Sequence, residues 1–191
     1  MPTSTFPFAP GRLHQSITAG ELYEGSIAQD FFRDCEWEYA KSSPRDNWLN
    51  HFDYIVNKDG RSFKVEIKSP KRCRVPGAQN EDLVLLEYTG ITGKPGWLQG
   101  RADYIFQFFS ETKMLCYHRE QALQVYGSVP SNASRCSPTN APIQDWFGRE
   151  GVSRKGTVNQ DVIRWEPLKT FCNQVPQHNF YLKTNNKWHK Q

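Results

Sequence analysis

The sequence predicts an α/β domain in which helices flank a mixed central β-sheet of about four or five strands. Three observations carry that expectation. A helical apolar stripe ends near Tyr39, a hairpin alternates through "HFDYIVNKDGRSFKVEIKSPKR", and apolar runs of strand length follow it. A chain of 191 residues is long enough for one core with polar appendages.

The opening "MPTSTFPFAPGR" is Pro-rich and reads as an extended segment over residues 1–16, ahead of a single domain over 17–172. From Ile17 to Tyr39, Leu22, Ile27, Phe31 and Cys35 recur at helical spacing, with Phe32 and Tyr39 widening the stripe. "KSSPRDN" then breaks the helix, and the hairpin follows. Beyond a basic loop, "LVLLEYTG" has the length and composition of a buried strand. "RADYIFQFF" and "KMLCYHR" read as two strands joined by "SET", and "REQALQVYG" as a short helix. A polar insertion rich in Ser, Pro, Asn and Gly spans about 127–160, a loop length often tied to function. "DVIRWEPLKTF" reads as a strand running into a helical turn. Residues 173–191 read as a polar tail with Lys183, Lys187, His189 and Lys190.

Composition narrows the classes. A net charge of +4 permits an anionic partner such as nucleic acid without requiring one. No apolar run reaches the length of a membrane span, and no hydrophobic stretch follows Met1 as in a signal peptide. The five cysteines are odd in number, scattered and lack a C-x-x-C pair. That argues against a disulfide framework or zinc site and for a reducing, cytoplasmic setting.

The hairpin carries the chemistry. Asp59-Gly60 is a strong signal for a two-residue type I′ turn. With those two at its centre, Lys58 faces Arg61, Val56 faces Phe63 and Tyr54 faces Val65. Phe52, Tyr54, Val56, Phe63, Val65 and Ile67 then share an apolar face. Asp53, Ile55, Asn57, Ser62, Lys64, Glu66 and Lys68 share the other. This register sets Asp53 directly opposite Glu66, where Cβ atoms lie roughly 4.5–5.5 Å apart and like charges destabilise. A divalent cation would offset that repulsion: two carboxylates, the Ile67 carbonyl and waters suit Mg²⁺, with Mn²⁺ as a substitute. Lys68 leaves the same face and could hold a water or phosphate oxygen beside the metal. The plain alternative is a solvated Glu-x-Lys pair, and a one-residue slip in register would undo the constellation.

A helix with a polar residue, a strand with Asp53, a turn and a strand with Glu66-Ile67-Lys68 resembles the core of the PD-(D/E)XK nuclease superfamily. Phe52 stands where that family commonly has Pro. The resemblance implies a restriction-endonuclease-like fold and Mg²⁺-dependent hydrolysis of DNA phosphodiester bonds to 5′-phosphates. It implies that Asp53, Glu66 and Ile67 bind the metal and that Lys68 is catalytic; many relatives are dimers. "YEGSIAQDFF" is similar to a resolvase-type helix start in which Gly precedes Glu by four residues. Gly25 matches that Gly, while Gln29 stands where Glu is expected, with Glu24 and Asp30 nearby. A first-turn acid such as Glu24 is also favoured by the helix dipole alone.

Downstream, "LLEYTGITGKPGWLQGRADYIFQFF" resembles small phage and viral nuclease-like proteins with an acid on the strand after Glu-x-Lys, which makes a phage or mobile-element endonuclease the leading expectation. Glu87 matches that acid, and Ala102-Asp103-Tyr104 the later strand. Lys71, Arg72, Arg74, Lys94 and Trp97 are candidate DNA contacts, Trp97 as a stacking ring. Arg154 and Lys155, with Arg149, could form a second clamp. Trp97 could equally plug the core, and Asp103 could be structural. The rival class is a non-cleaving nucleic-acid-binding or assembly module on the same fold, for which Gln29 is the best support.

Overall fold

The computed structural model describes residues 21–70, 83–89, 95–128, 134–135, 151–152, 158–159 and 162–191. A π-helical turn, Tyr23–Ile27, leads into helix α1, Ala28–Asp34. Expected to run to Tyr39, the helix stops at Asp34 because Glu36 takes a left-handed φ of 58° and turns the chain back. Tyr39 instead lies in strand β1, Glu38–Lys41. The supposed breaker is also the start of a helix. Ser43 Oγ accepts the Asp46 N–H at 3.0 Å and Pro44 occupies the first turn of α2, Pro44–Asn50. Ser at the N-cap followed by Pro is a start signal as much as a stop signal.

Strands β2, Tyr54–Lys58, and β3, Arg61–Lys68, pair in the register read from the sequence: Tyr54 with Val65, Val56 with Phe63, Lys58 with Arg61. Asp59 and Gly60, at φ of 50° and 72°, supply the positive angles of a type I′ turn. Strand β4, Leu83–Thr89, and a 3₁₀ turn, Trp97–Gln99, connect β3 to β5, Tyr104–Ser110, which pairs with β3 in parallel. Strand β6, Lys113–His118, and helix α3, Arg119–Tyr126, come next. After three two-residue strands (β7, Ser134–Arg135; β8, Gly151–Val152; β9, Val158–Asn159) come β10, Val162–Pro167, and helix α4, Leu168–Gln174. Strands β11, His178–Thr184, and β12, Lys187–Lys190, complete the described chain.

The main sheet has seven strands in the order β1-β2-β3-β5-β6-β11-β12, antiparallel except for the β3–β5 pair. The fold is therefore α/β with a mixed sheet, larger than expected for two reasons. Residues 173–191, read as a tail, supply two of its strands, and β1 supplies an edge. The "LVLLEYTG" strand is buried as expected, but it belongs to a second layer in the order β4-β10-β7. Among the described residues no helix is long and apolar enough to cross a membrane.

Each face of the main sheet has its own core. On one, Phe31 and Phe32 of α1 pack on Tyr54, Val56, Val65, Ile67, Phe106 and Phe108, with Tyr181 and Trp188 closing the far side. Phe31 alone meets Phe106, Tyr181 and Trp188 at centroid separations of 5.4, 4.9 and 5.6 Å. Burying one such ring contributes roughly 1.5–3 kcal/mol. On the other face, Ile105, Leu115 and Tyr117 meet Val84, Leu86 and Tyr88 of β4, Trp97, Leu98, and Phe171 of α4. Glu66 and Lys68 point to this second face, since Val65 and Ile67 point to the first. The Glu66 end of the hairpin's polar row is thus covered by another layer, while Ile55, Asn57, Ser62 and Lys64 stay exposed to solvent.

Candidate active site

The expected face-to-face pairing of Asp53 with Glu66 does not occur. Regular pairing stops at Tyr54 and Val65, and the Asp53 N–H also turns to the Val65 carbonyl at 2.8 Å. Two residues of β2 therefore oppose one of β3, which is a β-bulge. Its cause lies upstream. Ser42 N–H holds the Asp53 carbonyl at 2.8 Å, and Ser42 Oγ donates to the Phe52 carbonyl at 2.7 Å, drawing the chain toward β1 and α2. The bulge also flips Phe52 away from Tyr54, into the cluster of Val84, Leu86 and Trp97.

Displaced in this way, Asp53 is 2 % exposed and bonded at both oxygens. Oδ2 accepts the Ile67 N–H at 2.6 Å, and Oδ1 accepts the side-chain amide of Asn47 on α2. The N–H and C=O of one strand residue face the same neighbour, so the Ile67 carbonyl is also on the Asp53 side. Glu66 is buried beside it, its Oε1 paired with Lys68 Nζ and its Oε2 without a hydrogen-bond partner among the described residues.

Burial pushes the Glu66 carboxyl up to about 8 from an ordinary 4.5; Lys68 opposes that push, while Asp53 and Glu24 add to it. Burial would lower the Lys68 pKa, but Glu66, Asp53 and Glu87 overcome it and leave the ammonium more firmly protonated than usual. Whenever Glu66 is ionised, Lys68 is thus a positive charge rather than a base.

The other expected site residues fall around this pair. Glu24 sits in the π-helical turn, its carbonyl accepting the Tyr54 hydroxyl and its charge felt by Glu66. Gln29 donates to the same Tyr54 hydroxyl at 3.2 Å, so it braces the turn that carries Glu24. Glu87 is half-buried on β4 and its charge reaches Lys68 and His51. Gly96 packs so tightly on Glu87 that a Cβ there would lie 2.4 Å from the Glu87 carbonyl oxygen. Trp97, a candidate stacking ring, is instead in the core at 1 % exposure, with Lys68 Nζ 5.9 Å from its ring centroid. A ring enclosed there cannot receive a base. Asp103 takes its structural role: it accepts the Lys64 N–H at 2.7 Å and returns its own N–H to the Lys64 carbonyl at 2.8 Å, aligning β5 with β3. Lys71, Arg72, Arg74, Lys94, Arg149, Arg154 and Lys155 lie outside the described residues.

Three neighbours were not legible as site residues. Asn47 holds Asp53 from a helix that reads as a break. His51 ends α2 in a left-handed conformation with φ of 50°, and its Nε2 must carry the hydrogen it donates to the Pro95 carbonyl at 2.9 Å. Burial, then Lys68, holds its pKa below the ordinary 6.5, so the ring is neutral near pH 7. Gln107, the polar residue inside "IFQFF", is buried beside Lys68. A lone amide in an apolar strand is the signal that could have marked it.

Comparison of the chain with family models, curated proteins and solved structures finds no match. Among the described residues no three His, Cys, Asp or Glu side chains are grouped to hold a metal ion by themselves. A hard cation here would need main-chain and water oxygens as well as the two acids. The donor set fits that requirement: an orphaned buried carboxylate oxygen, a second carboxylate with lone pairs to spare, and a carbonyl on the same side.

Proposed function

We propose that this chain is a metal-dependent deoxyribonuclease with a restriction-endonuclease-like core. The observation that carries the reading is the orphaned Glu66 Oε2, buried next to Asp53 and paired through its other oxygen with Lys68. A buried acceptor without a partner costs about 1–3 kcal/mol, more when charged, and a ligand cation removes that cost. The chain order of helix, Asp53 at the head of β2, turn and Glu-x-Lys strand supports the same reading.

In this reading Asp53, Glu66 and the Ile67 carbonyl hold Mg²⁺ or Mn²⁺. When bound, the cation supplies Lewis-acid polarisation of a phosphate and a water of lowered pKa. Asp53 is pre-aimed by Ile67 and Asn47, so its orientation need not be found during turnover. Glu66 must release its proton before it can act as a ligand. Lys68, held protonated, donates to a phosphate oxygen and stabilises charge building on it. Glu87 and Glu24 add negative charge at the margins, suiting a second cation or an ordered water network. The basic residues after β3, Lys71, Arg72 and Arg74, are the proposed phosphate contacts.

The second reading, a non-cleaving nucleic-acid-binding or assembly module, is favoured by one contact: Gln29, in place of a helix acid, bonds Tyr54. Incubation with supercoiled, linear, single-stranded and branched DNA, and with RNA, in Mg²⁺ or Mn²⁺ separates the two. Nicked or shortened DNA that disappears with chelator supports the nuclease. Retarded but intact DNA in every arm supports the module.

A further inference from the structure

We infer that Gln107 is a positioning residue for Lys68, receiving its ammonium when a divalent cation takes Glu66. This inference rests on the nuclease reading and deepens it. Parallel pairing aligns Lys68 with Gln107, on strands about 4.8 Å apart. Their inner neighbours Ile67 and Phe106 both point into the α1 core, so Lys68 and Gln107 share the opposite face.

Gln107 is 5 % exposed and sits in an otherwise apolar stretch of β5. Its Nε2 donates to the Leu83 carbonyl at 3.4 Å. A carbonyl can only accept, so the amide is oriented with Oε1 away from Leu83, and Oε1 is buried without a partner among the described residues. The buried polar side chains among the described residues are Asp53, Glu66, Gln107 and Glu166. Glu166 has Arg164 at 2.6 Å, whereas the other three gather around β3 and its immediate neighbours.

Two unpartnered oxygens, Glu66 Oε2 and Gln107 Oε1, thus belong to the two residues next to Lys68: Glu66 is paired with it and Gln107 is its register neighbour on β5. With Glu66 free, Lys68 closes onto it. A dication on Glu66 Oε2 repels that ammonium and draws electron density from Oε1, weakening its present acceptor. Lys68 has three donors on a flexible stem, packed over Trp97, and Gln107 offers the adjacent acceptor. The exchange leaves Lys68 charged and pre-aimed beside the cation instead of locked to the ligand.

The test is calorimetric Mn²⁺ titration of the full chain, wild type against Gln107→Met and Gln107→Glu, with thermal melts in chelator. Met matches the shape but removes the acceptor; Glu keeps an acceptor. The expected results are Mn²⁺ binding about tenfold weaker in Gln107→Met, the size of one charged hydrogen bond, and as tight as wild type or tighter in Gln107→Glu. Metal-free melting of Gln107→Met should be unchanged or higher, since an unsatisfied acceptor is gone. Wild-type affinity in Gln107→Met, or equal weakening in both variants, overturns the inference while the nuclease reading survives. If Gln107→Met does not fold, weaker binding by Gln107→Glu overturns it alone. No Mn²⁺ binding by the wild type overturns the metal site itself and this inference with it.

Discussion

The Asp53 carboxylate replaces main chain: its Oδ2 accepts the Ile67 N–H at 2.6 Å, beyond the point where β2 leaves the ladder. A bulge brings the side chain there, and Asn47 holds its other oxygen. One residue therefore completes the sheet and faces the proposed cation, so its two roles should separate by substitution.

Asp53→Ala leaves the buried Ile67 N–H unpaired and should cost about 1–3 kcal/mol of stability, read from denaturant melts. Asp53→Asn keeps an acceptor for Ile67, while the Asn47 amide can turn to accept, so its cost should be smaller. Both should abolish Mg²⁺ binding in calorimetry. Retained binding in either variant removes Asp53 from the metal site.

Glu66 sets a pH dependence of definite sign. In the fold its carboxyl keeps a proton up to about pH 8, against an ordinary 4.5, so between those values the native state binds more protons than the unfolded one. Its contribution to metal-free stability is full below the lower value and is lost as pH rises through the upper. Melts in chelator should show this decline, and Glu66→Gln should flatten it. Mg²⁺ binding should run the other way, strengthening with pH and levelling above about 8, because the cation needs the carboxylate. Affinity that is flat from pH 6 to 8 (roughly the range over which the proton is lost) would argue against Glu66 as a ligand.

Lys68→Ala removes a cation and leaves both acids and the Ile67 carbonyl in place. Divalent cations should still bind, and more tightly, since a neighbouring positive charge is gone. Turnover on DNA should fall by about a hundredfold or more, the usual effect of losing one preorganised charge. Cleavage at the wild-type rate in saturating metal would make Lys68 a structural ion-pair partner only.

Gly96→Ala tests the coupling of Glu87 to the site. The new Cβ would lie 2.4 Å from the Glu87 carbonyl oxygen and 2.7 Å from its carbonyl carbon, and main chain there cannot move aside cheaply. A cost of about 1–3 kcal/mol is expected, which for a domain of this size lowers the melting temperature by about 2–4 °C per kcal/mol. An unchanged melt would show that the loop can relax without moving β4.

The hairpin was legible because two independent signals agree on its register: the Asp59-Gly60 turn and the alternation on both sides of it. The bulge was not, because it comes from Ser42 contacts 11 residues before Asp53, and pattern reading sees only neighbours. Helix α2 was lost because Ser43-Pro44 suits both a helix start and a break. Strands β11 and β12 read as a tail because Tyr181 and Trp188 are their only buried side chains. A signal was nonetheless present: Asn185-Asn186, both at positive φ, form a turn between them, a conformation Asn tolerates. The acids and Lys68 were legible as a set, but Asn47 and Gln107 become site residues only through tertiary placement.

The packing of Trp188 on Phe31 sets a clock on folding. The Trp188 N–H reaches Asp34 across a separation of 154 residues, and the Trp188 ring closes the core that α1 covers. At the usual 5–20 residues per second, a ribosome needs roughly 8–30 s to make the later partner after the earlier one. Until β2, β3 and β5 have been made, Phe31 and Phe32 have no sheet to lie on, and from then until Trp188 arrives they have one with no lid at its far side. The nascent chain therefore spends seconds with an aromatic surface that a chaperone or an aggregate can find first, and cold-slowed synthesis should lengthen that exposure.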